Sequence, residues 1–178
     1  MKRSLIIISI FICVVVAVIS IVIFLFPRKY LNIINVYAEK YSLSKSMIAS
    51  VINIESGYDK DCVSNAGAIG LMQLLPSTAF DCANRLDMVI TEKDLYNPEI
   101  NINLGCYYLS YLLDMFDGNL ENSLSAYNWG LGNVKNWIAL GNIDDNGTVT
   151  NIPVEETVGY IRKYNASYFV YENFYKYN

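Results

Sequence analysis

The sequence predicts an all-α protein: a mainly helical domain that follows one N-terminal transmembrane helix. Residues 4–26 contain no charged side chain. After them, apolar residues recur at intervals of three and four, which is the period of an amphipathic helix. The alternating pattern of a strand is absent, apart from a short hairpin candidate at Thr148-Val149-Thr150. The fold class rests on these three observations.

The apolar N-terminal segment is long enough to cross a bilayer. As a helix, residues 4–26 would extend about 34 Å, against a hydrocarbon core of about 30 Å. A cleaved signal peptide has a shorter apolar run and a small-residue cleavage site. Here the run continues past the weak match at residues 18–20. We therefore expect an uncleaved signal anchor, which divides the chain into a membrane anchor at 1–29 and one domain at 30–178.

The distribution of charged residues predicts how the chain is oriented in the membrane and argues against a nucleic-acid partner. Lys2 and Arg3 lie on a very short tail, and the positive-inside tendency places that tail in the cytoplasm and residues 30–178 outside the membrane. All seventeen acidic residues, but only nine of the thirteen basic ones, lie after residue 29, so this part carries a net charge of −8. A nucleic-acid partner is therefore not expected, because phosphates require a basic surface.

The chain contains no histidine. This absence excludes Ser-His-Asp and Cys-His catalysis and most zinc sites. Outside the apolar segment, which holds Cys13, there are three cysteines: Cys62, Cys82 and Cys106. They allow at most one disulfide, and no pair has metal-ligand spacing. Cys82 and Cys106 fit small buried residues in helices at least as well as a bridge.

Helices are expected along most of the remaining chain. The first spans residues 30–41, and Ser44 is an N-cap candidate for the second. A loop at 57–69 precedes a short helix at 71–83, with Ser77 and Thr78 as capping residues. Asn97-Pro98-Glu99 combines an N-cap, a proline at the first helical position and an acid in the first turn. It begins a helix that ends near residue 117 and whose broad apolar stripe predicts central burial. Further helices are expected at 119–129, 133–140 and 154–174, with a polar loop at 141–153.

Glu55 stands out at the end of the second helix. The apolar face of that helix continues from Val51 to position 55, so the carboxyl is expected to be partly desolvated. Desolvation raises a carboxyl pKa, as a general acid requires near neutral pH. Periodicity alone is equally compatible with an ordinary exposed glutamate near a helix end. The loop that follows, with Gly57, Gly67 and Gly70, is typical of a cleft rather than a core.

Four sequence blocks occur in a fixed order around this site. They are Glu55-Ser56 with SNAGAIGLMQLLPSTA at 64–79; LYNPEININLG at 95–105 with Tyr108-Leu109; AYNWG at 126–130 with GNV at 132–134 and Trp137; and Ile152-Pro153 with Glu156-Thr157 and Tyr160-Ile161. Together they resemble the lytic transglycosylases of the soluble-transglycosylase (SLT) type in the lysozyme-like superfamily. The resemblance covers roughly residues 37–165.

The resemblance implies roles on both sides of the cleft. Glu55 matches the catalytic glutamate, which acts first as acid and then as base, and Ser56 matches a serine that supports this carboxylate. Met72 and Gln73 match positions that line the sugar cleft.

In the last two blocks, Tyr127 and Asn128 match residues whose side chains face the scissile sugars. Glu156 matches a position that supports the cleft, and Tyr160 matches a tyrosine whose hydroxyl lies near the acid. One departure bears on specificity: Trp129 replaces the usual small residue, so it could extend the stacking surface or narrow the cleft.

The implied reaction is cleavage of the bond between N-acetylmuramic acid and N-acetylglucosamine in peptidoglycan. The C6 hydroxyl of muramic acid attacks C1 and leaves a 1,6-anhydro end, so a single acid/base suffices, and neither a metal nor an organic cofactor is implied. Two alternatives stay open. One is a goose-type lysozyme-like hydrolase, which would need a second carboxylate. The other is a non-catalytic wall-binding component of a secretion, conjugation or sporulation assembly.

Overall fold

The structure, a computed structural model, describes residues 2–150 and 152–175. Over these residues it contains helices and three isolated β-bridges but no strand, which confirms the all-α prediction. Asn151, in the expected polar loop, and residues 176–178 lie outside the described residues. The elements are α1 (Lys2–Leu25), α2 (Leu31–Tyr41), α3 (Lys45–Ser56), α4 (Pro76–Arg85), a 3₁₀-helix (Glu92–Tyr96), α5 (Pro98–Met115), α6 (Leu120–Trp129), α7 (Leu131–Ala139) and α8 (Glu155–Asn173).

Three helix starts are fixed by capping side chains, two of which, Ser44 and Asn97, were predicted as caps from the sequence. The Ser44 hydroxyl accepts a hydrogen bond from the Met47 amide at 3.0 Å, so Ser44 is the N-cap of α3. Asn97 caps α5 by accepting from the amide of Glu99 at 2.9 Å, with Pro98 at the first helical position. Asn119 caps α6 in the same way. These caps satisfy amides that would otherwise lack partners, and they confirm three predicted helix starts.

Two other helix starts differ from the prediction. Helix α4 begins at Pro76 rather than at residue 71, because Leu75 before the proline is extended (ψ 139°) and residues 71–74 form turns. No side chain caps α4, so the expected capping by Ser77 and Thr78 is wrong. Helix α7 begins at Leu131, two residues before the predicted start, because Gly130 turns the corner at φ 92°.

Helix α5 is the central buried helix, as predicted. Residues 101–106 are buried without interruption, and Leu109 and Leu112 continue the buried side. Helices α2, α4 and α6 each pack against it. Cys82 on α4 and Cys106 on α5 are buried free thiols, in agreement with small core residues in helices.

A second layer brings the end of α3 to the start of α8. These two helices share the largest helix–helix interface, and α6 packs against α8 beside them. Ile48, Val51 and Ile52 of α3 are completely buried in this core. The last turn of α3, which carries Glu55, therefore emerges between α6 and α8.

Helix α1 has a different environment from the other helices. Ile6–Leu25 forms a stretch with a mean hydropathy of 3.5 that is long and apolar enough to cross a membrane, and none of it is buried against the protein. An isolated apolar helix in water would be unfavourable, because burial of apolar surface is what stabilises folded chains. The finding agrees with the expected apolar segment at 4–26.

Candidate active site

Glu55 faces an open cleft of about 430 Å³ between the 57–75 loop and helices α6 and α8. Its side chain is half-buried, and this desolvation raises the pKa of the carboxyl to about 7. A hydrogen bond from Tyr160 opposes the rise. The apolar periodicity of α3 led us to expect a Glu55 pKa shifted in this upward direction. A carboxyl with this pKa exchanges a proton readily near neutral pH.

Tyr160 lies directly behind the carboxyl. Its hydroxyl donates to Glu55 Oε1 at 2.7 Å. The tyrosine is 7% exposed, so it supports the acid from inside the protein. Burial, followed by the nearby Glu55 charge, raises the Tyr160 pKa well above its ordinary value, and the phenol therefore stays a donor.

Tyr127 forms the floor of the cleft from α6. Its hydroxyl donates to the Met72 carbonyl at 2.9 Å, and its ring packs against that of Tyr108 with centroids 5.4 Å apart. Burial raises the Tyr127 pKa well above the ordinary value. The side chain thus ties helix α6 to the loop on the opposite wall.

The loop wall is held rigid by polar contacts to its own backbone. Gln73 has a left-handed φ of 47°, and its amide Nε2 donates to the carbonyls of Gly70 and Cys62 at 2.9 and 3.0 Å. Gly70 (φ 79°) allows the turn, since a Cβ there would overlap Asn101 and the Leu95 carbonyl. The Gln73 side chain is thereby fixed where it lines the cleft.

The third wall joins α6 to α8. Asn128 lines the cleft, and its Oδ1 accepts from the Thr157 hydroxyl at 2.8 Å. Thr157 is completely buried, which fixes the orientation of the Asn128 amide. Glu156, the neighbour of Thr157, also lines the cleft but is exposed.

Two residues lie elsewhere than expected. The Met72 side chain is completely buried, because it packs against α5 where Gly105 leaves room for it, so it does not line the cleft. Met72 contributes its backbone carbonyl instead. The Ser56 hydroxyl donates to the carbonyls of Ile52 and Leu71, so it holds the loop against α3 and does not contact the Glu55 carboxylate.

Two side chains that were not assigned to the cleft, Tyr108 and Asn101, help to form it. Tyr108 has the spacing of a core residue on α5, yet it is half-buried and lines the cleft. Buried Asn101 holds the loop by donating to the carbonyls of Ile69 and Leu95 and accepting from the Met72 amide. The sequence feature that could have indicated this role is the position of Asn101, a polar residue in the otherwise apolar stripe of α5. Trp129 is 38% exposed at the rim.

No group of three or more acidic or cysteine side chains that could hold a metal ion occurs in the part of the chain that the structure describes. The cleft is instead lined by one desolvated carboxyl, amide side chains and aromatic rings. Such a set of groups can transfer a proton, bond to hydroxyl and amide groups, and stack on flat apolar faces.

A helical domain with one half-buried glutamate at the end of a core helix, facing an open polar and aromatic cleft, defines a lysozyme-like domain. The family comparison identifies which kind. The model of the transglycosylase SLT domain matches residues 32–146, and the chain belongs to this family.

Curated relatives and solved structures agree with this assignment. The chain is 33% identical over 156 residues to the soluble lytic murein transglycosylase of Escherichia coli (strain K12), covering 85% of this chain and 24% of the relative. It is 35% identical over 117 residues to membrane-bound lytic murein transglycosylase C of Actinobacillus pleuropneumoniae serotype 5b (strain L20), covering 60% and 32%.

Among solved structures, the 70 kDa soluble lytic transglycosylase of Escherichia coli matches with a TM-score of 0.76 and 33% identity, over 84% of this chain and 25% of that one. An inactive glutamate-to-glutamine mutant of lytic transglycosylase Slt from Pseudomonas aeruginosa matches with a TM-score of 0.72 and 28% identity, over 83% and 24%. The chain thus spans about a quarter of the length of the soluble relatives it matches.

Proposed function

We propose that this chain is a membrane-anchored peptidoglycan lytic transglycosylase. It cleaves the β-1,4 bond between N-acetylmuramic acid and N-acetylglucosamine and leaves a 1,6-anhydro-muramic acid end. The observation that carries the proposal is Glu55, a single carboxyl with a raised pKa that is bonded to Tyr160 and faces the cleft.

The names of the relatives support both parts of the proposal. Those matched over most of this chain are described as soluble lytic murein transglycosylases, and another is described as membrane-bound. One of the structural neighbours is an inactive mutant in which a glutamate is replaced by glutamine. An essential glutamate in a relative is in keeping with the role that we assign to Glu55.

Glu55 performs two proton transfers in this proposal. In its protonated form it donates to the glycosidic oxygen as the bond from that oxygen to C1 of muramic acid breaks. The C6 hydroxyl of the same sugar attacks C1, and the Glu55 carboxylate takes the hydroxyl proton. The proton that left Glu55 is thus replaced, and no water is consumed. Because Tyr160 occupies Oε1, we assign the transfers to Oε2.

The remaining cleft residues bind and orient the glycan. The Gln73 and Asn128 amides are held by backbone and Thr157 bonds, so they can bond sugar hydroxyl and acetamido groups without further ordering. Tyr108 and Trp129 offer rings for stacking on sugar faces. Tyr127 and Tyr160 position the floor and the acid, and Glu156 contributes a charge at the rim. None of these steps uses a metal or an organic cofactor.

The anchor places this chemistry at the cell membrane. We propose that α1 spans the membrane once, that residues 1–29 are the anchor, and that residues 30–178 form the catalytic domain on the wall side. The support is the unburied apolar stretch Ile6–Leu25 and the basic tail before it. Such an arrangement suits local opening of the wall, including beside a secretion, conjugation or sporulation assembly.

The proposal is tested by digesting purified peptidoglycan with the full-length chain in detergent micelles and reading the products by mass spectrometry. Glu55→Gln removes the titratable group, and Glu156→Gln is the matched control in the same cleft. We expect anhydro-muramic ends from the wild type and the control, and none from Glu55→Gln. Reducing ends would instead indicate the goose-type hydrolase. A folded wild-type chain that yields no product would indicate a wall-binding component.

A further inference from the structure

The end of helix α8 lies against the point where α1 ends. Three consecutive residues after Leu25 contact the last turn of α8 or the residues just after it. The Phe26 ring meets Tyr171 edge-on with centroids 6.1 Å apart, and the Pro27 carbonyl accepts from the Tyr171 hydroxyl at 2.8 Å. The Arg28 guanidinium lies 5.1 Å from the centre of the Tyr175 ring. The chain that leaves α1 is therefore packed onto α8.

These contacts fix the depth of α8 relative to a membrane. The stretch Ile6–Leu25 extends about 30 Å as a helix, which is the thickness of the hydrocarbon core. If this stretch fills the core, Pro27 lies within the headgroup layer. Tyr171, which donates to its carbonyl, then lies at the same level. The last turns of α8 are thus brought to the membrane surface by α1 itself.

Two large apolar side chains are exposed at this end of α8. Phe169 is 58% exposed and Phe174 is 69% exposed, and their rings contact each other with centroids 6.1 Å apart. Lys29, which is exposed, and Arg28, whose guanidinium lies over the Tyr175 ring, provide positive charge at this end of the domain. Exposed aromatic side chains with basic neighbours are typical of protein segments that lie in the membrane interface.

We propose that residues 26–29 and 169–175, which we name the juxtamembrane collar, dock the catalytic domain onto the lipid surface. This inference rests on the proposed anchoring by α1 and goes beyond it, because an anchor alone would leave the domain free to pivot. The partner is the headgroup and upper acyl region of the leaflet on the domain side. Phe169 and Phe174 insert there, while the Tyr171 bond to Pro27 holds the end of α8 at the end of α1.

Docking would set the height of the active site. Tyr160, which holds Glu55, and Tyr171, which holds Pro27, lie on the same helix. At 1.5 Å per residue they are about 16 Å apart along α8. The helix then connects the membrane surface to the acid as a rigid support, so that the cleft acts on glycan strands at a fixed distance from the membrane.

The test is depth-dependent fluorescence quenching with the full chain in phosphatidylcholine vesicles, with and without brominated acyl chains. Phe174→Trp reports on the collar. Val158→Trp is the matched control, because it lies about 24 Å away along the same helix. The wild type, with Trp129 at the cleft and Trp137 buried in α7, gives the baseline. Co-flotation with the vesicles reports separately on anchoring.

We expect all chains to co-float and only Phe174→Trp to lose most of its added emission in brominated lipid. A floating Phe174→Trp chain without quenching would overturn the docking and leave the anchor intact. Equal quenching at positions 158 and 174 would also overturn it, because the domain would then lie flat. A chain that does not float would overturn the anchor and with it this inference.

A second pair of variants tests the insertion itself. In the Phe174→Trp chain, Phe169→Asp places a charge beside the reporter, and we expect the quenching to be lost. Phe80→Asp is the control, since Phe80 is also partly exposed (37%) but lies on α4. Quenching that survives Phe169→Asp unchanged would contradict insertion of this ring pair.

Discussion

Glu55 and Glu156 line the same cleft but have different environments. Glu55 lies in the last turn of α3, beyond completely buried Val51 and Ile52, and burial raises the pKa of its carboxyl to about 7. The Tyr160 phenol donates a hydrogen bond to one of its oxygens. Glu156 lies in the first turn of α8 and is exposed to solvent.

The difference shows that the surroundings of a carboxyl, rather than its presence in a cleft, decide which chemistry it can perform. Desolvation lets Glu55 hold a proton near neutral pH and then lose it. Glu156 is in the environment of a charged rim residue. One acid/base favours a reaction in which the substrate supplies its own nucleophile, while hydrolysis would use a second placed carboxylate.

The largest expected effect is the difference between Glu55→Gln and Glu156→Gln in the rate of peptidoglycan cleavage. Glu55→Gln should lower the rate of peptidoglycan cleavage by about 10³-fold or more, since general acid–base catalysis contributes about 10²–10⁴. Glu156→Gln should stay within a few-fold of wild type. The measurement is release of soluble muropeptides under single-turnover conditions, with thermal unfolding of each variant as a control for folding. Equal losses in both variants would break the distinction drawn here.

The second effect is on how the free energy of unfolding depends on pH. The folded-state pKa of Glu55, about 7, lies above its ordinary value of 4.5, so the folded state binds more protons between these pH values. The free energy of unfolding should therefore fall by about 3 kcal/mol as the pH rises from 4.5 to 7.

Denaturant titrations across this pH range measure that effect in three chains. Glu55→Gln should remove the slope, because the amide does not titrate, whereas Glu156→Gln should retain it. A wild-type curve parallel to that of Glu55→Gln would mean that Glu55 has an ordinary pKa.

The third effect concerns the bond from Tyr160. This bond lowers the Glu55 pKa against the desolvation, so Tyr160→Phe should raise the pKa further. In the wild type, the rate of peptidoglycan cleavage should fall as the pH rises through about 7. In Tyr160→Phe, this falling part of the pH–rate profile (the pH limb) should move to higher pH. Tyr127→Phe is the control, because its hydroxyl bonds the Met72 carbonyl instead of the acid. A shift of equal size in both variants would mean that altered packing, and not loss of the hydrogen bond to Glu55, causes the shift.

The smallest effect is expected on the Glu156 side of the cleft. Thr157→Val removes the hydroxyl that orients Asn128 and keeps the side-chain shape. We expect KM for soluble glycan fragments to rise a few-fold, with the pH limb unchanged. Steady-state kinetics at two pH values checks both. A displaced pH limb would mean that the Thr157–Asn128 pair also influences the pKa of Glu55.

Features encoded by neighbouring residues could be predicted from the sequence. Apolar spacing on α3 predicted the desolvation of Glu55, and the Asn97-Pro98-Glu99 run predicted the start of α5, because both are set within a few residues. Gln73, Tyr127 and Asn128, which the family resemblance placed at the cleft, line it together, while their roles stay predictions.

Features that depend on distant contacts could not be predicted in this way. Met72 is buried because Gly105 on another helix leaves a space for it, and Ser56 bonds the Leu71 carbonyl across the loop. Tyr108 has the spacing of a core residue but lines the cleft, where its ring packs beside that of Tyr127. The position of α8 over the end of α1 depends on contacts between opposite ends of the chain.

The central claim, that Glu55 directs attack by a hydroxyl of the substrate instead of by water, is tested most directly by digesting peptidoglycan in water enriched in oxygen-18. The full-length chain in micelles is used, and the new glycan ends are analysed by mass spectrometry. We expect anhydro-muramic ends with no oxygen-18 incorporated at C1. Reducing ends that carry one oxygen-18 atom would show that water is the nucleophile and would contradict the single-carboxylate mechanism.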